Sequence, residues 1–262
     1  MKNLIGNTPL IKISDKIYAK LETYNPSGSI KDRMAYYILV EAKKRWELKP
    51  GDTIVEATSG NTGIAMSMLG ASMGHPVIII MPRNMSNERK CMMRTYGAEI
   101  IEVGDNAFKD AIKLRDEMCK ENKSYFNPRQ FSNPDNVWCH KFTTGPEIIK
   151  EMPQLSAFIA GSGTGGTLMG VNEALKTQNI QAKIVQVQPE ESNATHGIQG
   201  INDGEDFLLD KNIVDETIYI KTDDAVKRAK KLAKENGLLV GISSGANVLA
   251  AEKWVEKNNP ER

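Results

Sequence analysis

Cysteine and histidine are both scarce in this 262-residue chain, with three of each. Cys91, Cys119 and Cys139 are odd in number, far apart and without a C-x-x-C pair, which argues against a disulfide framework or a thiolate metal cage and leaves free thiols. His75, His140 and His196 are isolated too, with no H-E-x-x-H and no paired-carboxylate spacing, so no metal site is expected and each is read as structural. Neither sign of charge prevails: 34 basic against 33 acidic side chains leave +1, the balance of a protein that does not bind nucleic acid. Long apolar runs are missing, for a run such as Val77 to Met81 falls far short of the ~20 residues of a membrane-spanning helix. The start, Met1-Lys2-Asn3-Leu4-Ile5-Gly6, lacks the apolar stretch of a secretory signal, and a cytoplasmic location is expected.

What is present is the composition of an ordinary globular protein, 40% hydrophobic and 26% charged. Short Ile- and Val-rich runs at 53–57, 77–81, 99–103, 157–160, 184–188 and 217–220 read as strands. Helical spacing or cap signals mark 34–45, 61–72, 87–96, 108–120, 144–151, 167–176, 223–236 and 246–256. This alternation is that of βαβ units winding a mainly parallel sheet, so the fold class is α/β. The basic residues of 223–236 are read as a solvated face, with Asp223 and Asp224 suiting the helix dipole. The Pro- and Gln-containing stretch 126–134, followed by Thr143-Thr144-Gly145-Pro146, is the candidate boundary between halves.

Three turns rich in Gly, Ser and Thr, at 58–63, 161–167 and 241–246, each follow a strand and open a helix. At the carboxyl edge of a parallel sheet such turns gather backbone N–H groups and helix N-termini into an anion site. Gly161-Ser162-Gly163-Thr164-Gly165-Gly166-Thr167 formally satisfies G-x-G-x-x-G, yet the next strand ends Gln186-Val187-Gln188-Pro189, without the acid that would hold a dinucleotide ribose. A dense cup of glycines with two threonine hydroxyls suits a compact phosphate monoester better. Lys31 follows the turn Pro26-Ser27-Gly28-Ser29-Ile30 into the helix, where the dipole disfavours the ammonium form and favours the neutral amine of Schiff-base chemistry. Taken alone, the segment is better read as a solvated lysine whose charge Asp32 offsets.

Together these segments resemble the cysteine synthases (O-acetylserine sulfhydrylases), pyridoxal-phosphate enzymes of fold type II. The likeness is carried by Ile5-Gly6-Asn7-Thr8-Pro9-Leu10, Asn25-Pro26-Ser27-Gly28-Ser29-Ile30-Lys31-Asp32-Arg33, Glu56-Ala57-Thr58-Ser59-Gly60-Asn61-Thr62-Gly63, Thr143-Thr144-Gly145-Pro146-Glu147, Gly163-Thr164-Gly165-Gly166-Thr167 and Gly241-Ile242-Ser243-Ser244-Gly245, in family order. It implies two three-layer α/β domains with mainly parallel sheets, tryptophan-synthase-β-like. Residues 1–145 would carry the lysine and substrate loop and 146–262 the phosphate loop, with a segment near 10–33 packing with the other domain. It also overturns the solvated reading of Lys31, which becomes the Schiff-base lysine. Gly163, Thr164, Gly165, Gly166 and Thr167 would hold the phosphate of pyridoxal 5'-phosphate, Asn61 its 3' oxygen, and Gly241 would line the cofactor pocket. Thr58, Ser59, Asn61 and Thr62, with Gln130, would bind the substrate carboxylate.

The reaction so implied is a β-replacement, in which acetate leaves O-acetylserine and sulfide adds to Cβ, with Lys31 taking and returning the Cα proton. Glu56-Ala57-Thr58-Ser59 and Gln188-Pro189-Glu190-Glu191-Ser192 resemble the B-type enzymes, which accept thiosulfate, whereas Ile198-Gln199-Gly200-Ile201 resembles the A-type. O-phosphoserine and a cystathionine-forming reaction from serine stay open. The family pattern continues into a further strand and a motif near the pyridine nitrogen, while this sequence stops at Asn258-Asn259-Pro260-Glu261-Arg262, which leaves a catalytically impaired relative as the non-enzyme alternative. A homodimer and a complex with serine acetyltransferase are further implications of the resemblance.

Overall fold

In the computed structural model, which describes residues 1–58, 60–191 and 208–260, a strand or helix lies at each position expected from the sequence. Two elements were not foreseen at the start of the chain, β1 (Leu10–Ser14) and β2 (Ile17–Lys20), an antiparallel hairpin with a register shift between Lys12 and Ser14. The chain folds as two compact units, one of Met1–Gly6 with Glu22–Asn136 and one of Asn7–Leu21 with Val137–Arg262. Of the segment near 10–33, residues up to Leu21 therefore belong to the second unit and the rest to the first. The division falls at Asn136/Val137, ahead of 145/146, because the turn His140–Thr144 already packs on the helix that follows the glycine-rich turn 161–167.

The first unit is built on a parallel sheet of four strands, β3 (Thr53–Ala57), β4 (Val77–Pro82), β5 (Glu99–Val103) and β6 (Tyr125–Phe126), ordered β5-β4-β3-β6. Every residue of β4 is buried, as a parallel strand covered on both faces requires. Ile54, Ile79 and Met81 pack with Leu39 of α1 (Lys31–Lys44) and Leu69 of α2 (Asn61–Met73), which lie with α3 (Asn87–Thr95) on one side. The alternate residues Val55, Ile78 and Ile80 meet Ala111 of α4 (Phe108–Glu121) on the other. Strand periodicity thus makes three layers.

The chain leaves this unit within α5 (Asp135–Cys139), which runs on through a π-helical turn, His140–Thr144, into α6 (Gly145–Glu151). The second unit has a parallel sheet β7 (Ala157–Gly161), β8 (Lys183–Pro189) and β9 (Glu216–Ile220), in that order. Leu168, Val171 and Leu175 of α7 (Gly166–Thr177) pack with Ile184 on one face. Val187 and Ile220 pack with Ala225 of α8 (Thr222–Asn236) and Ala246 and Ala250 of α9 (Ile242–Asn258) on the other. The hairpin is tied to this unit by Lys20 to Glu147 at 2.8 Å and by Lys16 to Asn259 at 2.9 Å.

Candidate active site

Lys31 is the first residue of α1, three positions earlier than the helix expected from Met34, and a polar network fixes that start. Asp32 is fully buried and accepts the Ser27 backbone N–H at 2.7 Å and the Ser27 hydroxyl, while the Lys31 N–H is donated to Ser29 Oγ at 3.2 Å. Asp32 therefore braces the turn that leads into α1. Burial pushes its carboxyl up, against the pull of the Ser27 hydrogen bonds. Arg33, also buried, forks onto Glu22 at 2.7 and 2.8 Å, Asn25 Nδ2 bonds the same Glu22, and Asn25 Oδ1 accepts the Gly6 N–H. The N-terminal segment, the turn and α1 are thereby one rigid piece, with Lys31 half-buried at its tip.

The Gly/Ser/Thr-rich turn 58–63 leaves the carboxyl end of β3. Thr58 N–H bonds Ile80 O at 3.1 Å, Gly60 N–H reaches Thr58 Oγ1 at 3.4 Å, and α2 opens at Asn61, whose side chain is exposed. Ser59 lies outside the described residues. Thr62 and Gln130, 68 positions apart, meet in the interior, where the Thr62 hydroxyl donates to Gln130 Oε1 at 2.8 Å. The Gln130 carbonyl in turn accepts Asn136 Nδ2 at 2.8 Å. The structure adds a residue that the sequence reading did not assign, Glu56, wholly buried one residue before Ala57. Its Oε1 accepts the Ala57 N–H at 2.9 Å and meets Arg115 Nη1 at 3.3 Å. Burial pushes the carboxyl up to about 7, opposed by Arg115 and by the Ala57 and Gln130 backbone N–H groups.

In the second unit, the turn after β7 leads into α7, whose first-turn N–H groups have no carbonyl of their own helix to bond. Gly165 is left-handed, at φ +84°, and precedes the helix. Gly166 N–H reaches Thr164 Oγ1 at 3.3 Å, and Leu208 N–H bonds Thr164 O at 3.0 Å. Thr167 Oγ1 lies 3.2 Å from His140 Nε2, and His140 Nδ1 lies 2.9 Å from Thr144 Oγ1, so buried His140 steadies the threonine from behind. Beneath the turn, Ser162 Oγ accepts Gln186 Nε2 and Gln188 Nε2 at 2.6 and 2.7 Å. Gly241, the residue before α9, is brought to the same sheet edge, because Asn247 of α9 accepts the Gly161 N–H at 2.9 Å. Among the described residues nothing lies within 4 Å of a Cβ built on Gly163, so the cradle is open there. Open glycine backbone, helix N–H groups and two threonine hydroxyls fit a phosphate monoester. The A-type motif at 198–201 lies outside the described residues.

Comparison with known proteins agrees with this geometry. A family model described as "Pyridoxal-phosphate dependent enzyme" matches residues 1–262. Cysteine synthase of Staphylococcus aureus is 41% identical over 95% of this chain and 86% of its own length. Cysteine synthase B of Escherichia coli is 40% identical over 100% of this chain and 89% of its own. Among solved structures, cysteine synthase from Entamoeba histolytica superposes with a TM-score of 0.91 at 40% identity, covering 98% of this chain and 82% of that one. A hydrogen sulfide-producing enzyme from Fusobacterium nucleatum gives 0.91 at 37% identity, covering 98% and 90%.

Proposed function

The chain belongs to the cysteine synthase family of pyridoxal-phosphate dependent enzymes, of fold type II, and from that premise we propose that it forms L-cysteine from O-acetyl-L-serine and sulfide. The observation that carries the reading is the cradle of residues 163–167 at the start of α7, whose donors suit the cofactor phosphate. When bound, pyridoxal phosphate supplies an electron sink for the charge left on Cα of the amino acid. Lys31 would hold the cofactor through Nζ, and the same amine, when free, would take the Cα proton and later return it. Asn61 would bond the 3' oxygen, and Gly241 would line the pocket. Thr58, Ser59, Asn61, Thr62 and Gln130 receive the substrate carboxylate; the Thr62 hydroxyl, by engaging Gln130 Oε1, turns the amide so that Nε2 is the face that donates to an anion. Acetate leaves Cβ and sulfide adds there.

The domain roles follow, with the lysine and substrate loop in the first unit and the phosphate loop in the second. A homodimer, a complex with serine acetyltransferase and a cytoplasmic location are extended to this chain by family resemblance. Among the described residues no helix is long and apolar enough to cross a membrane. Lys31→Ala should lower turnover by at least about 10³-fold and abolish the visible band of lysine-bound cofactor. Wild-type turnover in that variant refutes the assignment. Thiosulfate in place of sulfide tests the B-type alternative, which the likeness to Escherichia coli cysteine synthase B supports.

A further inference from the structure

The two arms of the proposed substrate clamp, the loop from Thr58 to Thr62 and the strap at Gln130, share a buried anchor. Glu56 holds the first arm through the Ala57 N–H, and its Oε2 has no hydrogen-bond partner among the described residues. The Gln130 backbone N–H of the second arm also favours the charged carboxylate. The charge is poorly compensated. Arg115 reaches Glu56 at 3.3 Å, long for a charge-assisted bond, whereas it holds Asp116 at 2.8 and 2.9 Å. Asp116 is half-exposed, so the guanidinium is shared between a buried and a solvated acid. Cys119, on the same helix, is the other titratable group that interacts with this cluster, and burial pushes its thiol up to about 11, which keeps it neutral.

We propose that Glu56 is a positioning residue for substrate recognition: it joins the two arms of the clamp from beneath, and its negative charge opposes the substrate carboxylate that those arms receive. A buried carboxylate whose cation is shared, placed next to an anion site, is favoured in its neutral form when the site fills. Binding of the amino acid therefore takes up a proton at Glu56, and affinity weakens as pH rises through the Glu56 titration. The inference rests on the reading that Thr62 and Gln130 hold the substrate carboxylate.

The test is the pH profile of amino-acid binding to the cofactor-loaded protein. L-alanine has the α-carboxylate and amine but no leaving group on Cβ, and its dissociation constant is read from the visible absorption of the cofactor between about pH 6 and about pH 9. Titration of the α-amine acts on wild type and Glu56→Gln alike, so the ratio of their constants isolates Glu56. The expected ratio is near one at the acid end, with wild type binding about tenfold more weakly than Glu56→Gln at the alkaline end. A ratio that stays flat overturns the proposal. If Glu56→Gln does not fold, Arg115→Gln carries the same test in the wild-type background of Glu56: loss of the cation moves the weakening to higher pH, and an unmoved midpoint overturns the proposal. Gln130→Ala separates the underlying reading, because unchanged L-alanine binding there fails the clamp itself, whereas weakened binding with a flat Glu56 ratio fails the role of Glu56 alone.

Discussion

Replacing Gly165 by alanine strikes the phosphate cradle at the one residue that has neither the backbone freedom nor the space for a side chain. At φ +84° an L-residue is strained by about 1–2 kcal/mol. The added Cβ would lie 2.5 Å from Leu209 Cβ, 2.7 Å from Leu209 N and 2.9 Å from Leu209 Cα. Two of those three atoms are main chain and cannot rotate away, so a further cost of about 1–3 kcal/mol for overpacking applies. The sum, about 2–5 kcal/mol, is divided between the fold and the cradle as residues 164–166 and Leu209 move apart. At about 1.4 kcal/mol per factor of ten, the losses in pyridoxal-phosphate affinity and in folding stability should together reach at least one power of ten. Cofactor-free protein titrated with pyridoxal phosphate, and its urea midpoint, read the two parts. Gly163→Ala is the control: its Cβ meets no protein atom within 4 Å, so it should weaken the cofactor with the urea midpoint unchanged. Affinity and midpoint both unaltered in Gly165→Ala would refute the constrained cradle.

Two further outcomes concern stability. Because the folded state raises Glu56 from its ordinary 4.5 to about 7, the neutral acid is the form favoured by folding. The associated stability is complete below the unfolded value and is lost as pH rises through the folded one, so wild type should lose on the order of 2 kcal/mol relative to Glu56→Gln between about pH 5 and about pH 8. Parallel urea-unfolding curves of the two across that range would contradict the burial argument. In α9, Gly245→Ala gains about 1 kcal/mol of helix propensity but puts a Cβ 2.1 Å from Ala225 O and 2.8 Å from Ala229 N of α8. Overpacking against main chain wins, for a net loss of up to about 2 kcal/mol in unfolding free energy read from urea curves, and a net gain would disprove the close contact of the two helices.

Much of this architecture was legible because the signals were local. Val77-Ile78-Ile79-Ile80-Met81 can only be a doubly covered strand or a short buried helix, and the Pro and Gly that bound it decide for a strand. The cradle was legible for the same reason, since Gly163, Gly165 and Gly166 with Thr164 and Thr167 state backbone chemistry directly. The hairpin was not. Its turn, Asp15-Lys16, carries no glycine, and the register shift after Lys12 interrupts the alternation that would mark it. The start of α1 was placed late because Ser27 and Asp32 look like surface polar residues until the fold buries Asp32 and turns both Ser27 donors onto it.

Glu56 shows where such legibility ends and also what could have extended it. A carboxylate within Thr53-Ile54-Val55-Glu56-Ala57 stands in an inner strand of a parallel sheet, where a charge costs several kcal/mol unless something answers it. That anomaly is visible in the sequence; its answer is not, because Arg115 and Gln130 arrive from 59 and 74 positions away, and the 3.3 Å contact of Arg115 with Glu56 exists only once α4 has docked. An apolar residue at position 56 would stabilise the strand more. Stability alone therefore does not account for the acid, whereas the positioning role proposed for it beneath the substrate carboxylate would.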